Sequence, residues 1–187
     1  PLSVIHRLPP AVLFSGSFGV AIAAGTILLS LPFAHAGAPV VPLDALFTAV
    51  SAVCVTGLTV VDTGSRFSPA GQAVILALIQ LGGLGLMTFA VFVGVVLGRK
   101  VAFTDRMVIQ DSMHHTPRAG VRRLVRYVLT FTLAVEAVGA ALLFVRFRGQ
   151  LPAGEALWHS VFHSVSAFCN AGFGLRPDNL VRYRGDL

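Results

Sequence analysis

Charge is what this sequence has least of. Asp, Glu, Lys and Arg make up 12% of its 187 residues, where an average soluble domain carries about 25%. The mean hydropathy is +0.81. The shortage is concentrated in three runs. Ala11–Phe33 has 23 residues with no charged side chain, Pro69–Gly98 has 30, and Tyr127–Val145 has 19 with Glu136 as its only charge. A helix needs about 20 apolar residues to cross a bilayer, so three spans are expected and a soluble fold is excluded. The first run is too long for a cleaved signal and lacks a small-residue cleavage site ahead of a soluble domain. The expected fold class is all-α and integral to a membrane.

Acidic residues are scarcer than basic ones, 8 against 14, for a formal net charge of +6. Seven of the basic residues (Arg99, Lys100, Arg106, Arg118, Arg122, Arg123 and Arg126) lie between the second and third runs. Basic residues beside span ends favour the cytoplasmic side. That puts Arg99–Arg126 inside with the N-terminus (His6, Arg7), and Ala34–Val41 and Arg146–Glu155 outside. The basic stretch has no interleaved aromatic platform, which argues against a nucleic-acid partner. It reads as the inside-facing loop, as a docking surface, or as both. His114-His115 within it read as solvated or partner-facing.

Other absences remove further classes. His159 and His163 lie four apart and share a helix face, but no third ligand accompanies them, so packing or capping is the expected role and no metal is. Ser160, Ser164 and Ser166 have no nucleophile elbow and no acid in order, so the chain is not read as an enzyme. Gly82-Gly83-Leu84-Gly85 sits mid-span with no strand before it, so it is not a dinucleotide fingerprint. Close helix packing or a kink is expected there, with Gly94 and Gly98 as further small-residue packing positions. Glu136 leaves two readings open: a structural hydrogen bond or ion pair to a neighbouring helix, or ion coordination and proton coupling.

What the sequence does have is a repeat. With Gly57 laid on Gly172, Asp44–Leu58 and His159–Phe173 agree at six of fifteen positions: Phe47/Phe162, Val50/Val165, Ser51/Ser166, Ala52/Ala167, Cys54/Cys169 and Gly57/Gly172. Each copy is a short half-apolar stretch, too short to span, that ends at a glycine and follows a membrane-length run. Pro9-Pro10 opens the first run and Pro32 closes it; Pro39 and Pro42 mark a loop. Asp44 is the expected N-cap of a helix of about ten residues reaching Val53. β-branched residues and glycine then disfavour its continuation. Val60–Ser65 returns to the surface and Pro69 starts the second span. A second short helix, Gly154 to about Ala167, leads into the second glycine stretch, and Pro177-Asp178-Asn179 leads away.

The expected organisation is a first span–loop–span unit at 1–98, a basic cytoplasmic linker at 99–126, and a second unit at 127–187 that stops before a closing span. With no starting methionine, the chain reads as a fragment. The two cysteines, Cys54 and Cys169, read as small residues packed beside a pore, since a disulfide needs tight geometry.

Irregular backbone at membrane depth is tolerated only inside protein or along a wet cavity. Backbone carbonyls can replace the water around a cation without the full charge that would trap it. Glycine permits the backbone conformations this requires and leaves the path clear. Each short helix would also aim the negative end of its dipole at the cavity, while Asp44 and Glu155 near the helix starts complement the positive ends.

Units carrying Ser-Ala-Val-Cys-Val-Thr-Gly-Leu (51–58) and Ser-Ala-Phe-Cys-Asn-Ala-Gly-Phe (166–173) resemble the Trk/Ktr/HKT family of potassium transporters. So do Ile79-Gln80-Leu81-Gly82-Gly83-Leu84-Gly85 in the second span and Val135-Glu136-Ala137-Val138-Gly139 in the third. Opening directly on the first unit is most similar to the Ktr-type membrane subunit. The resemblance implies four units around a pseudo-fourfold pore, each giving a filter segment with a central glycine. Here those glycines are Gly57 and Gly172, with neighbouring carbonyls from Cys54, Val55 and Thr56 and from Cys169, Asn170 and Ala171. Potassium is held at these residues alone, and no cofactor is bound by this chain. Glycine at the first filter position resembles potassium-selective members, whereas serine marks sodium-transporting relatives. The resemblance also implies a homodimer in membrane lipid, a multi-pass protein of a bacterial plasma membrane, and sodium-stimulated uptake. A cytosolic RCK-type regulatory subunit, which carries the nucleotide, would gate the pore. The alternatives are a sodium-selective or poorly selective relative and a non-conducting membrane subunit.

Overall fold

The computed structural model describes residues 10–96 and 117–185. Prolines set many of the element starts. Pro occupies the first helical position at little cost, because its missing N–H is one of those left without a partner there anyway. The helices are α1 (Pro10–Ser30), α2 (Pro42–Val53), α3 (Thr63–Arg66), α4 (Pro69–Val96), α5 (Pro117–Phe147) and α6 (Ala153–Phe168), with 3₁₀ turns at Pro32–Ala34 and Val181–Tyr183. Among the described residues the only β pairing is an isolated bridge between His35 and Phe67, so the fold is all-helical.

Among the described residues two stretches are long and apolar enough to cross a membrane, Pro69–Met87 in α4 and Val125–Phe147 in α5. The first expected span is also helical, but its apolar part, Phe14–Ser30, is shorter. α5 keeps Val138, Leu142 and Val145 largely exposed, which suits a lipid-facing helix. Of the basic stretch, Arg118, Arg122, Arg123 and Arg126 fall within α5. Arg99, Lys100, Arg106, His114 and His115 lie outside the described residues, as do His6, Arg7 and Gly98.

The chain forms two compact units. One holds the described residues up to Leu84 and those from Val165 on; the other runs from Gly85 to Ser164. In the first, α1 packs on α2. Close approach is allowed by small residues: a Cβ on Gly25 of α1 would lie 2.6 Å from Leu78 of α4 and 3.3 Å from Ala49 of α2. In the same unit Leu29, Ala45, Ala49, Ala52, Phe67, Ile75, Ile79 and Phe173 are buried. Gln72 donates to the carbonyl of Phe67 at 2.9 Å, fastening the turn that precedes α4. In the second unit, Ser164 Oγ of α6 donates to the carbonyl of Glu136 on α5 at 2.7 Å, and Gly139, one turn on, leaves room for the Ser164 hydroxyl.

One local expectation needs correction. Asp44 is not the N-cap of α2. The cap is Val41, with no side-chain bond, and Pro42 opens the helix. Asp44 lies in the first turn, where its charge still suits the positive helix end, and its carbonyl accepts from Thr48 Oγ1 at 2.7 Å.

Candidate functional site

The short helices α2 and α6 end in the same way. In α2, Cys54 N bonds to Val50 O at 2.8 Å, Val55 N to Ala52 O at 3.3 Å and Thr56 N to Ser51 O at 2.9 Å. In α6, Cys169 N bonds to Val165 O at 3.0 Å, Asn170 N to Ala167 O at 3.0 Å and Ala171 N to Ser166 O at 2.7 Å. These are the paired bonds of a left-handed C-terminal cap, which satisfies the last carbonyls of a helix when the residue after the C-cap takes positive φ. Val55 has φ 55° and Asn170 φ 56°. Two residues further, Gly57 and Gly172 both have φ 74°.

Asparagine tolerates the left-handed region, but a β-branched valine there is an outlier. The strain at Val55 is held in place by the cap bonds of its own and the next N–H, to Ala52 O and Ser51 O.

The two loops touch at their glycines. A Cβ on Gly57 would lie 2.5 Å from the carbonyl oxygen of Ala171 and 3.2 Å from Gly172 Cα; one on Gly172 would lie 3.3 Å from Gly57 Cα. Helix α4 supports both loops. Gly82 backs onto the carbonyl of Val53, and Gly83 onto Cys169, whose Sγ would be 2.6 Å from an added Cβ. The glycine run in α4 is therefore a packing surface, as its sequence suggests. The structure thus brings all eight expected site residues, 54–57 and 169–172, into two adjoining backbone loops.

The loops differ in what braces them. Ser166 Oγ donates to the carbonyl of Phe173 at 2.7 Å, and Asn179 Nδ2 donates to the carbonyl of Gly172 at 3.0 Å. Ser51, the counterpart of Ser166, is buried and its hydroxyl has no partner among the described residues. Ser166→Ala is therefore expected to destabilise the full-length protein by about 1–3 kcal/mol, the cost of an unsatisfied buried carbonyl. Ser51→Ala is expected to be neutral or slightly stabilising. Thermal midpoints of the detergent-solubilised variants compare the two, and equal shifts would contradict the asymmetry.

Sequence reasoning treated 177–179 only as an exit from the loop and so missed Asn179. Its one local signal was that asparagine takes positive φ readily.

Cys54 is exposed and Cys169 is buried, and both are free thiols. The rings of His159 and His163 stack at 5.9 Å, and Phe147 meets both edge-on, at 6.4 and 5.9 Å. His163 Nδ1 lies 2.8 Å from the carbonyl of His159. Among the described residues no cluster of His, Cys, Asp or Glu could hold a metal ion. Glu136 is buried in α5.

Described residues that are all-helical, with two membrane-length apolar helices among them and two short helices that end at paired glycine loops, have the makings of a helical membrane protein. The family model described as "TrkH: Cation transport protein" matches residues 16–186, and the chain belongs to that family. It is 46% identical over 182 residues to the Ktr system potassium uptake protein B of Bacillus subtilis, covering 97% of this chain and 40% of the relative. To the potassium/sodium uptake protein NtpJ of Enterococcus hirae it is 40% identical over 179 residues, covering 95% and 40%. To the Ktr system potassium uptake protein B of Vibrio alginolyticus it is 35% identical over 178 residues, covering 95% and 38%. The chain thus spans about two fifths of the length of these curated relatives.

Proposed function

We propose that this chain contributes two filter segments to a potassium uptake pathway across a bacterial plasma membrane. The carrying observation is the pair of matching loops, Cys54–Gly57 and Cys169–Gly172, whose glycines share one backbone conformation and lie in contact. Each loop leaves its helix with backbone carbonyls no longer committed to the helix ladder, and each sits at the negative end of a helix dipole. Carbonyls in such a ring replace the hydration shell of a dehydrated cation while carrying only partial charge, so the ion binds and still leaves. Potassium is cargo here. The other segments of the ring come from the rest of the full-length protein, and the span–loop–span unit is the repeating element.

The pathway works as a homodimer whose opening is set by a cytosolic, nucleotide-binding RCK-type subunit, and sodium stimulates uptake. The family and the potassium-uptake names of the relatives support the potassium pathway. The potassium/sodium name of the Enterococcus relative favours a second one, a pathway that accepts sodium as well as potassium.

The test is uptake by the full-length protein in cells lacking their own potassium uptake systems, at limiting external potassium, with and without sodium. Growth rescue with potassium accumulation is the expected result, and a faster rate with sodium favours the Ktr type. Sodium accumulation in place of potassium would select the second reading. No transport of either ion, with the regulatory subunit coexpressed and the protein present in the membrane, would count against conduction and favour a non-conducting subunit.

A further inference from the structure

The second loop is followed by a compact segment that turns back on it. Asn179 takes φ 48°, and its N–H bonds to the Arg176 carbonyl at 3.0 Å. Val181 N bonds to Asp178 O at 3.0 Å. Arg182 Nε donates to Asp178 Oδ2 at 2.8 Å, and this bond holds the exposed Asp178 carboxyl below its ordinary range. The Asn179 amide is thereby laid flat on Gly174: a Cβ there would lie 2.7 Å from Oδ1 and 2.8 Å from Cγ. A side chain at 174 would push the amide out of this position. From this position Nδ2 reaches the carbonyl of Gly172 at 3.0 Å. The amide orientation follows from chemistry, since Oδ1 turned toward that carbonyl would set two acceptors against each other.

A glycine peptide is the one most easily turned over, because glycine populates positive and negative φ about equally. If the Gly172–Phe173 peptide turned, its N–H would replace its carbonyl on the loop surface, and an N–H repels a cation. The bond from Asn179 opposes that turn. Ser166, bonded to the next carbonyl along at Phe173, holds the far side. The first loop has neither brace: Ser51 Oγ has no partner among the described residues, and the position matching Asn179 in the repeat is Gly64, which has no side chain to donate.

We propose that Asn179 is a positioning residue of the second filter segment, its side-chain amide fixing the direction of the Gly172 carbonyl and so sharpening the preference for potassium over sodium. The inference rests on the filter reading above. A larger ion is favoured over a smaller one when carbonyls cannot close in, so loosening one carbonyl admits sodium more than it excludes potassium.

The test uses the full-length protein and measures potassium and sodium uptake side by side, together with the amount of membrane-inserted protein. Asn179→Gly keeps the left-handed backbone and removes the amide. Asn179→Asp keeps the shape and removes the donor. Asn179→His restores a ring N–H on a residue that also tolerates positive φ. One net hydrogen bond corresponds to roughly a three- to tenfold change in an equilibrium. The Gly and Asp variants are therefore expected to lose about that factor in potassium over sodium preference, with partial recovery in the His variant.

Unchanged preference in both variants would overturn the inference. So would an equal fall in uptake of both ions, or loss of inserted protein in both, since either assigns Asn179 a merely structural role. Gly57→Ala, run alongside, separates this from the underlying reading. If uptake survives Gly57→Ala, the filter assignment itself fails. If Gly57→Ala abolishes uptake while the Asn179 variants keep wild-type preference, only the present inference does.

Discussion

Gly57→Ala in the full-length protein is expected to abolish potassium uptake, whereas Gly172→Ala leaves a measurable fraction of it. Both glycines have φ 74°, so both substitutions incur the left-handed penalty of roughly 1–2 kcal/mol. Space distinguishes them. At Gly57 the new methyl would meet the carbonyl oxygen of Ala171 at 2.5 Å, about 1 Å inside ordinary contact. The obstacle is backbone, with no rotamer to move away, so one loop must be displaced. At Gly172 the nearest atom is Gly57 Cα at 3.3 Å, a tight contact that a shift of a few tenths of an ångström relieves. Gly57→Asp adds bulk and charge at the same point and is expected to be inactive as well. Uptake normalised to membrane-inserted protein reads the comparison. Equal loss at both positions would mean that backbone conformation alone matters, and normal uptake by Gly57→Ala would remove these loops from the ion path.

Much of this site was legible in the sequence because its constraints are local. The cap geometry repeats since Ser-Ala-x-Cys-x-x-Gly repeats, and glycine marks the one position in each loop where positive φ and close approach coincide. Pro69 gave the start of α4 away, whereas Pro42 reads in the sequence as part of a loop. This explains the misreading at Asp44: aspartate is a favoured N-cap, but Pro42 already sits at the first helical position and moves the start upstream. Val55 could not be read as left-handed from its own identity, since β-branched residues avoid that region. Only its alignment with Asn170, which accepts it readily, carried the information. The exposure of Cys54 against the burial of Cys169 is a difference in surroundings between positions of identical sequence, which no local pattern encodes. Asn179 escaped for the same reason. Its bond to Gly172 spans seven residues and depends on a turn whose outcome is tertiary.

The pairing of α4 with the two loops leads to the second large effect. Gly82→Ala is expected to remove the folded full-length protein from the membrane, and Gly83→Ala to weaken it in a way that a second change repairs. On helix propensity alone both substitutions would stabilise, because alanine is favoured over glycine by roughly 1 kcal/mol in a helix interior. The sign is therefore decided by what the methyl meets. At Gly82 it runs into the carbonyl of Val53, the last residue of α2, so the two helices must separate and the first loop loses its support. Overpacking of this kind costs typically 1–3 kcal/mol where side chains can adjust, and here backbone must move instead. At Gly83 the obstacle is the side chain of Cys169, with Sγ at 2.6 Å and Cβ at 2.9 Å from the new methyl. Cys169→Ala removes the nearer atom and leaves the loop backbone in place. The pair Gly83→Ala/Cys169→Ala should thus recover part of the loss caused by Gly83→Ala, the part due to Sγ, and a double-mutant cycle on thermal midpoints measures the coupling. Additive effects would show that α4 does not seat the second loop at this contact, and a stable Gly82→Ala protein would show the same for the first.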